Sequence, residues 1–429
     1  MSAPPPSAAR TSRTERTKRT VRITVVVLFA AWLVDYADRL VITLALPAIG
    51  KEFDLSRGQQ GLVVSAFFLA YALCQIPGGL LADRFGAQRV TCWALLSWSV
   101  FTALTGFAWS FAVLLVLRFA FGAAEGIFPP ASMKVLVERT TPEERMGANG
   151  LIMSSNALAA VLTPLAVAPL IAAFGWRSAF FSTAALGVFV LVAVRMWLPA
   201  PLARTRAETP TIRHGLRQML RKGVLWRFAT MMFGYSTIMW GLSTWIPSYL
   251  NDVRGISLTS AGALAAIPAL AAALATVVGG RLADRLGGHH RKVILPAMAV
   301  AALALPLMAY SASLTGFVAF VTVAACATSL AYMPIFAVPL RGLDPAHVGV
   351  GSAVIVLGGQ VAGMTAPPVM GVLADTFSFE VAFAFLVLGA VIVAVMSLAT
   401  PQDAESFRTA LGTFDHEPDR SPLSTEQPS

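Results

Sequence analysis

Three charged side chains lie close together in a segment that is otherwise almost entirely hydrocarbon. The stretch VDYADRL, residues 34–40, places Asp35, Asp38 and Arg39 at positions i, i+3 and i+4, which share one face of a helix. A guanidinium stays protonated and can hold a carboxylate through two hydrogen bonds, whereas a carboxylic acid removed from water can gain and lose a proton. The spacing therefore indicates an anion-binding base beside proton-binding acids.

A second charged pair occurs in RFAFGAAEG, where Arg118 and Glu125 are seven residues apart. Seven residues are close to two helical turns, so both side chains point the same way, about 10 Å apart along the axis. A charge at the centre of a bilayer costs at least ~2.5 kcal/mol, so such residues normally face a water-filled cavity or one another. These charges either line a site or form a buried ion-pair network that only holds helices together.

The elements that must position these charges are membrane-spanning helices. Of the 429 residues, 56% are hydrophobic and 13% are charged, whereas a soluble domain carries roughly a quarter charged residues. In lipid, only helices and closed β-barrels pair every backbone N–H and C=O group, and the sequence lacks the alternation of polar and apolar residues that a barrel strand shows. The spans are therefore predicted to be helices. The sequence predicts an all-α polytopic membrane protein with twelve transmembrane helices, near residues 23–48, 60–82, 91–109, 112–136, 148–173, 179–198, 228–250, 258–282, 293–310, 314–339, 350–373 and 380–399.

The basic residues predict the orientation of these helices. They concentrate before the first helix and in the segment 199–227, and basic residues favour the cytoplasmic side. We therefore expect a multi-pass protein of the cell inner membrane with both termini in the cytoplasm. Topogenic charge beside anionic lipid explains the net charge of +10, so we expect no nucleic-acid partner. The three cysteines have no ligand spacing, so neither a disulfide framework nor a metal site is indicated.

An internal repeat divides the chain into two halves. The stretch GGLLADRFG at 78–86 recurs as GGRLADRLG at 279–287, at an offset of 201 residues. Glycines allow close approach and a tight turn, and Asp and Arg can cap or pair helix ends, which suits a gating loop; a plain turn is the alternative. The candidate gating residues are Gly79, Asp83, Arg84, Gly86, Gly280, Asp284, Arg285 and Gly287.

The repeat predicts two six-helix bundles around a site near the middle of the membrane. The first bundle covers 22–198 and the second 228–400, with a basic cytoplasmic linker at 199–227. The ends at 1–21 and 401–429 are rich in Pro, Ser, Thr and charges, a composition that predicts disorder.

The duplicated loops after the second and eighth of twelve spans resemble the major facilitator superfamily. Within it, YADRL at 36–40, KEFDLS at 51–56, RFAFGAAEG at 118–126 and TWIPSYL at 244–250 resemble the anion:cation symporter family. The resemblance implies proton-coupled uptake of a small organic anion, such as a sugar acid, tartrate, a phthalate or hydroxyphenylacetate, by alternating access. It implies no cofactor beyond the proton gradient, and we expect a monomer whose partners are the anion, protons and the lipid bilayer.

The same resemblance assigns roles to individual residues. Arg39 matches the residue that binds the substrate anion, Asp38 and Glu125 match protonation sites, and Arg118 matches an arginine linked to proton transfer. Relatives often carry Asn where this chain has Asp35. That acid either neutralises Arg39, adds a proton site or alters the substrate preference.

The second half offers only neutral side chains in the middle of its spans. Tyr235 in the seventh helix and Gln360 in the eleventh are candidate substrate contacts, although packing explains them equally well. In the first half, Tyr71 aligns with a cavity position of the family.

Other classes of protein fit the sequence less well. An enzyme is not expected, because the sequence has no phosphate-binding loop, no H-E-x-x-H and no haem-type cysteine spacing. The main alternative is a proton-driven efflux antiporter for a drug or metabolite with the same fold. Exporters of the superfamily typically carry Gly-Pro-Gly-Gly in the fifth helix, and that signature is missing from SSNALAAVLTPLAVAPLIAAFGW at 154–176.

Overall fold

Twelve long helices and one short one make up the described part of the protein. A computed structural model describes residues 6–202, 219–287, 289–344 and 347–412. The helices are α1 Pro6–Glu52, α2 Arg57–Phe85, α3 Ala87–Thr105, α4 Phe111–Arg139, α5 Pro142–Phe174, α6 Trp176–Trp197, α7 Gly223–Ser248, α8 Leu258–Arg285, α9 Arg291–Ala309, α10 Leu314–Gly342, α11 Val348–Thr376, α12 Phe379–Ala399 and α13 Ala404–Leu411.

Each of the helices α1 to α12 overlaps one of the twelve predicted spans. Within the described ranges, nine of them are long and apolar enough to cross a membrane by length and composition alone. The other three long helices of the two halves are α1, α3 and α7. The predicted fold class is confirmed.

Several helices are interrupted or extended. A π-helical turn, Tyr249–Val253, continues α7, and α12 consists of Phe379–Ala384 and Val387–Ala399. Helix α10 breaks at Ala331. Pro334 explains that break, because it has no N–H to donate to the carbonyl of Leu330 four residues earlier. At the start of the chain, α1 begins at Pro6, before the boundary at residue 22 that the composition predicts.

Helix α13 lies in the segment 401–429, for which the composition predicts disorder. Its Phe407 is fully buried against the ring of Phe228 in α7, at a centroid distance of 5.8 Å. Arg408 donates hydrogen bonds to the carbonyls of Gly342 (3.3 Å) and Arg341 (3.2 Å) at the end of α10. Because Phe407 and Leu411 are four residues apart, α13 presents one apolar face to the helix ends. Residues 1–5, 203–218 and 413–429, which include most of the linker, lie outside the described residues.

The described chain has two large buried cores, one for each half. The first core contains residues from Val25 to Leu198, and the second contains residues from Met219 to Leu411. Between the halves, α2 packs on α11 and α5 packs on α8. Glycines make these crossings close: a Cβ on Gly61 of α2 would lie 2.5 Å from the Cα of Pro368 in α11. The two halves therefore pack as separate bodies, and we call the boundary between them, where α2 meets α11 and α5 meets α8, the divide.

One face of the molecule is tied across this divide. We call the face where α1 ends the far face, and the face where α12 ends the terminal face. On the far face, the Asp375 carboxylate at the end of α11 accepts hydrogen bonds from the backbone N–H groups of Arg57 (3.1 Å) and Gly58 (2.8 Å), which begin α2. Lys51 pairs with Asp252 at 3.5 Å on the same face. These contacts join the two halves at the far face.

Candidate functional site

Arg39 is the centre of a buried charged site in the first half. Its Nη2 donates a hydrogen bond to Asp35 Oδ2 at 3.1 Å and lies 3.5 Å from Glu125 Oε1 of α4. The two carboxylates are fully buried, whereas the Arg39 side chain remains 10% exposed. The structure thus brings the predicted charges of α1 and α4 together, with two acids on one guanidinium nitrogen.

Aromatic rings enclose the same guanidinium. The Cζ of Arg39 lies 4.7 Å from the ring centre of Tyr71, 5.3 Å from Phe67 and 5.7 Å from Tyr36. Such rings attract a cation and shield it from water. Tyr71, predicted from the sequence as a cavity residue, therefore lies directly beside the predicted anion-binding base.

Asp38 faces a different neighbour from Arg39. Its Oδ2 accepts a hydrogen bond from Thr102 Oγ1 of α3 at 2.6 Å. Successive helical residues point about 100° apart, so Asp38 turns towards α3 while Arg39 turns towards α2 and α4. The single polar face expected for α1 is therefore divided into two compartments.

Arg118 belongs to the second compartment. Its Nη2 donates to Thr105 Oγ1 of α3 at 3.2 Å, and its Cζ lies 4.3 Å from the ring centre of Phe121. The side chain is 1% exposed. Arg118 and Glu125 share one side of α4, as their spacing predicts, but each serves a different part of the site.

Close packing of α2 on α4 sets the width of the Arg39 compartment. A Cβ on Gly126 would lie 2.5 Å from the carbonyl oxygen of Tyr71, and one on Gly122 would meet the carbonyl oxygen of Phe67. Only glycine permits this approach of two backbones. The two glycines of RFAFGAAEG therefore bring the Tyr71 and Phe67 rings up to the guanidinium.

The second half contributes neutral groups. The ring of Tyr235 packs on Tyr332 of α10 at a centroid distance of 5.1 Å, and Trp240 of α7 lies 6.4 Å from Tyr36. Gln360 Oε1 on α11 is buried without a hydrogen-bond partner among the described residues. Tyr36 and Trp240 thus bring the two halves together beside the Arg39 compartment.

Several buried polar atoms of the site have no hydrogen-bond partner within the described ranges. Buried polar groups normally have such partners, so an unusual concentration of unpaired ones indicates a place for water or a ligand. In the first half these atoms are Asp35 Oδ1, Asp38 Oδ1, Arg39 Nε, Arg118 Nε and both carboxylate oxygens of Glu125. No group of three His, Cys, Asp or Glu side chains that could hold a metal ion occurs in the described part of the chain.

The two candidate gating loops have matching geometry. Gly86 and Gly287 adopt positive φ values of 93° and 64°, which favour glycine. Asp83 pairs with Lys134 of α4 at 2.6 Å, and Asp284 pairs with Arg341 of α10 at 2.9 Å.

Each of these two ion pairs joins helices of the same half, so neither crosses between the halves. A Cβ on Gly79 or Gly280 would make only ordinary van der Waals contacts, so close packing does not require glycine at those two positions. The Cζ of Arg84 lies 5.2 Å from the ring centre of its neighbour Phe85. The gating role of these loops, including Arg285, stays a prediction.

Sequence reasoning did not single out the two hydroxyls that contact the second compartment. Thr102 and Thr105 hold Asp38 and Arg118 from α3. The available signal was that Thr102 and Thr105 are three residues apart, which places both hydroxyls on one side of α3. Tyr36 and Phe67 carried no comparable signal, because aromatic residues are common in membrane helices.

Twelve long helices in two separately packed halves, with a buried charged site in the first half, are the architecture of a membrane transporter rather than an enzyme. The sequence profile of the Major Facilitator Superfamily matches residues 27–365 and 254–416. The chain belongs to that superfamily, and it is a multi-pass membrane protein.

Individual relatives agree with this assignment. The chain is 31% identical over 377 residues to a probable sulfoacetate transporter of Cupriavidus necator, covering 82% of this chain and 87% of the relative. It is 28% identical over 379 residues to the hexuronate transporter of Bacillus subtilis, covering 84% and 89%. Its fold is similar to that of a bacterial homologue of the human lysosomal transporter Spinster in an inward-facing, unoccupied conformation. That likeness has a TM-score of 0.74 and 20% identity, and it covers 91% of this chain and 97% of the other.

Proposed function

We propose that the protein imports a small organic anion together with protons, by alternating access. The observation that carries this proposal is the Arg39 compartment, where an arginine side chain that is 10% exposed lies among fully buried acids. Arg39 is the residue suited to bind a carboxylate or sulfonate, because its planar fork offers paired donors. The relatives named above are described as carriers of sulfoacetate and hexuronate, which are both organic anions.

The charge of the site supports proton coupling. The two compartments contain three acids and two bases, so one acid has no counter-charge when all five are ionised. Burying an unpaired charge in a membrane is costly, and binding a proton removes that cost. Coupling of the anion to protons is therefore the simplest way for the site to remain neutral as the anion enters and leaves. The five residues are Asp35, Asp38, Arg39, Arg118 and Glu125.

The direction of transport is tied to the orientation. Basic residues in the first part of α1 and in the segment between the halves favour a cytoplasmic position for the terminal face, which supports a protein of the cell inner membrane with both termini inside. The far face would then be extracellular.

Purified protein in proteoliposomes tests the proposal. An inward-directed proton gradient should drive accumulation of a radiolabelled anion chosen from sulfonates, sugar acids and aromatic acids by a thermal-shift screen. Arg39→Ala should lose both anion binding and uptake, and Arg39→Lys should recover little because a lysine cannot form the bidentate contact. Arg221→Ala, at an exposed position, is the matched control and should behave as the unmodified protein.

Two results would contradict the proposal. Normal anion affinity in Arg39→Ala would remove Arg39 from the binding site. Accumulation driven only by an outward-directed proton gradient would indicate the alternative, a proton-driven efflux antiporter.

A further inference from the structure

Asp35 and Glu125 occupy the same nitrogen of Arg39. They come from different helices, α1 and α4, and reach Nη2 at 3.1 Å and 3.5 Å. Both are fully buried, and each keeps an oxygen without a hydrogen-bond partner in the described ranges. Two carboxylates that share one site repel each other when both are ionised, so such a pair holds a proton in common.

The surroundings of Asp35 leave Arg39 as its direct counter-charge. The titratable or charged groups that interact with it are Arg39, Tyr36 and Asp38 on α1, Tyr71 on α2 and Glu125 on α4. Asp38 is held by Thr102 in the other compartment, on the side of Arg118. The balance around Arg39 is therefore one base against two acids, and one proton makes it neutral.

An arriving anion changes this balance by one negative charge. When the substrate carboxylate or sulfonate takes Arg39, neutrality requires a proton on both Asp35 and Glu125. When the anion leaves, one of these protons must leave too, so that one acid can again neutralise Arg39. Either acid can perform this exchange, because both reach the same nitrogen.

We propose that Asp35 and Glu125 form one proton-binding pair that alternates between one proton and two as the anion leaves and binds Arg39. This inference rests on the proposed function, since it specifies which groups carry the coupled proton. In the empty carrier, one acid is protonated and the other is the internal counter-ion of Arg39. In the loaded carrier, the proton taken up with the anion resides on that second acid. The anion then takes the place of this acid as the counter-ion at Nη2.

The consequence is redundancy. Removing the charge from one acid leaves the other to exchange the proton, because the new amide behaves like the acid that stays protonated. Removing both charges leaves Arg39 with no internal counter-ion. The anion then binds without a proton, and the empty carrier cannot return with an uncompensated guanidinium.

Three variants in proteoliposomes test this: Asp35→Asn, Glu125→Gln and the double variant D35N/E125Q. With one proton per anion and a gradient of one pH unit, the accumulation ratio of an electroneutral carrier approaches about tenfold. Each single variant should accumulate anion more slowly than the unmodified protein, but still towards that ratio. The double variant should give a ratio of about one while it continues to exchange labelled for unlabelled anion.

Controls separate the inference from general damage. The variant E125Q/D54N makes the same second exchange of Asp for Asn at Asp54, an exposed residue of the α1–α2 loop with φ of 51°, which Asn also tolerates. It should match Glu125→Gln. Thermal shift with the anion shows that each variant is folded and binds.

Several outcomes would overturn the inference. If Glu125→Gln alone abolished accumulation, Asp35 would not exchange protons. If the double variant still accumulated anion, the coupled proton would lie elsewhere, for example on Asp38. If the folded double variant also lost exchange, the pair would serve binding instead. If the unmodified protein did not respond to the gradient, the proposed function itself would fail, which is a separate result.

Discussion

The contact between Asp375 and the first turn of α2 predicts how the far face is held closed. The Asp375 carboxylate receives two backbone N–H groups, at 3.1 Å and 2.8 Å, from a helix whose positive end favours an anion. Arg57 adds a contact across the divide, since its Cζ lies 4.6 Å from the ring centre of Phe379. Replacing Asp375 by Ala removes both hydrogen bonds and should favour opening of this face.

The size of the effect follows from the exposure of the contact. A hydrogen bond to a charged group contributes about 1.5–3 kcal/mol when water is excluded. The Asp375 side chain is 31% exposed, so water competes for it and we reduce the total for both bonds to about 1–2 kcal/mol. That free energy corresponds to roughly a 5- to 30-fold change in the ratio of closed to open far face. Asp375→Asn keeps one acceptor and should give a smaller change.

Distances between spin labels at Trp109 and Tyr310 measure this ratio. These residues are 75% and 66% exposed and lie in far-face loops of the first and second half. Double electron–electron resonance on a cysteine-free background carrying W109C and Y310C should show a longer-distance population that grows in Asp375→Ala. Glu380→Gln, in the first turn of α12, is the matched control and should leave the distribution unaltered. An unchanged distribution in Asp375→Ala would refute the idea that this contact holds the far face closed.

Three further changes test the site and its supports. Gly126→Ala should separate α2 from α4 and cost about 1–3 kcal/mol of stability, seen as a lower melting temperature together with weaker anion binding, because its Cβ would lie 2.5 Å from the Tyr71 carbonyl. Thr102→Val should leave the buried Asp38 carboxylate without its donor and lower the melting temperature, whereas Thr102→Ser should restore it; equal effects of Val and Ser would exclude the hydrogen bond as the cause. Burial lowers the pKa of His290, at the start of α9, to about 4, so its neutral ring contributes stability above pH ~6.5 that is lost as the pH falls towards 4. In His290→Gln, the free energy of unfolding should therefore fall less steeply with decreasing pH across that window, by up to about 1.4 kcal/mol per pH unit, and the melting temperature should show the same flatter profile. An unaltered pH profile would contradict this.

The fold was predictable because its signals are long and repeated. Twelve apolar stretches and the duplicated ADR loop at 82–84 and 283–285 determine the spans and the two halves. The pairing of Asp35 with Arg39 was predictable too, because residues four apart in a helix must lie close together.

Contacts between helices could not be obtained in this way. The direction in which Asp38 turns depends on a threonine of α3, 64 residues later, and the approach of Glu125 to Arg39 depends on how α4 packs against α1. Helix α13 was missed because only Phe407 and Leu411 carry its apolar face, within a segment dominated by polar residues. The local composition cannot show that Phe407 and Leu411 pack against the ends of α7 and α10.

The anchoring of α13 limits where the chain can be shortened or extended at this end. A truncation before Ala404 would uncover the Phe228 ring and the end of α10, whereas a fusion joined after Gly412 would leave both covered. Because α13 packs on α7 and α10, which belong to the same half, a fluorophore attached after Gly412 should move with that half. Paired with a second fluorophore on α1, it would test whether one bundle moves against the other during turnover.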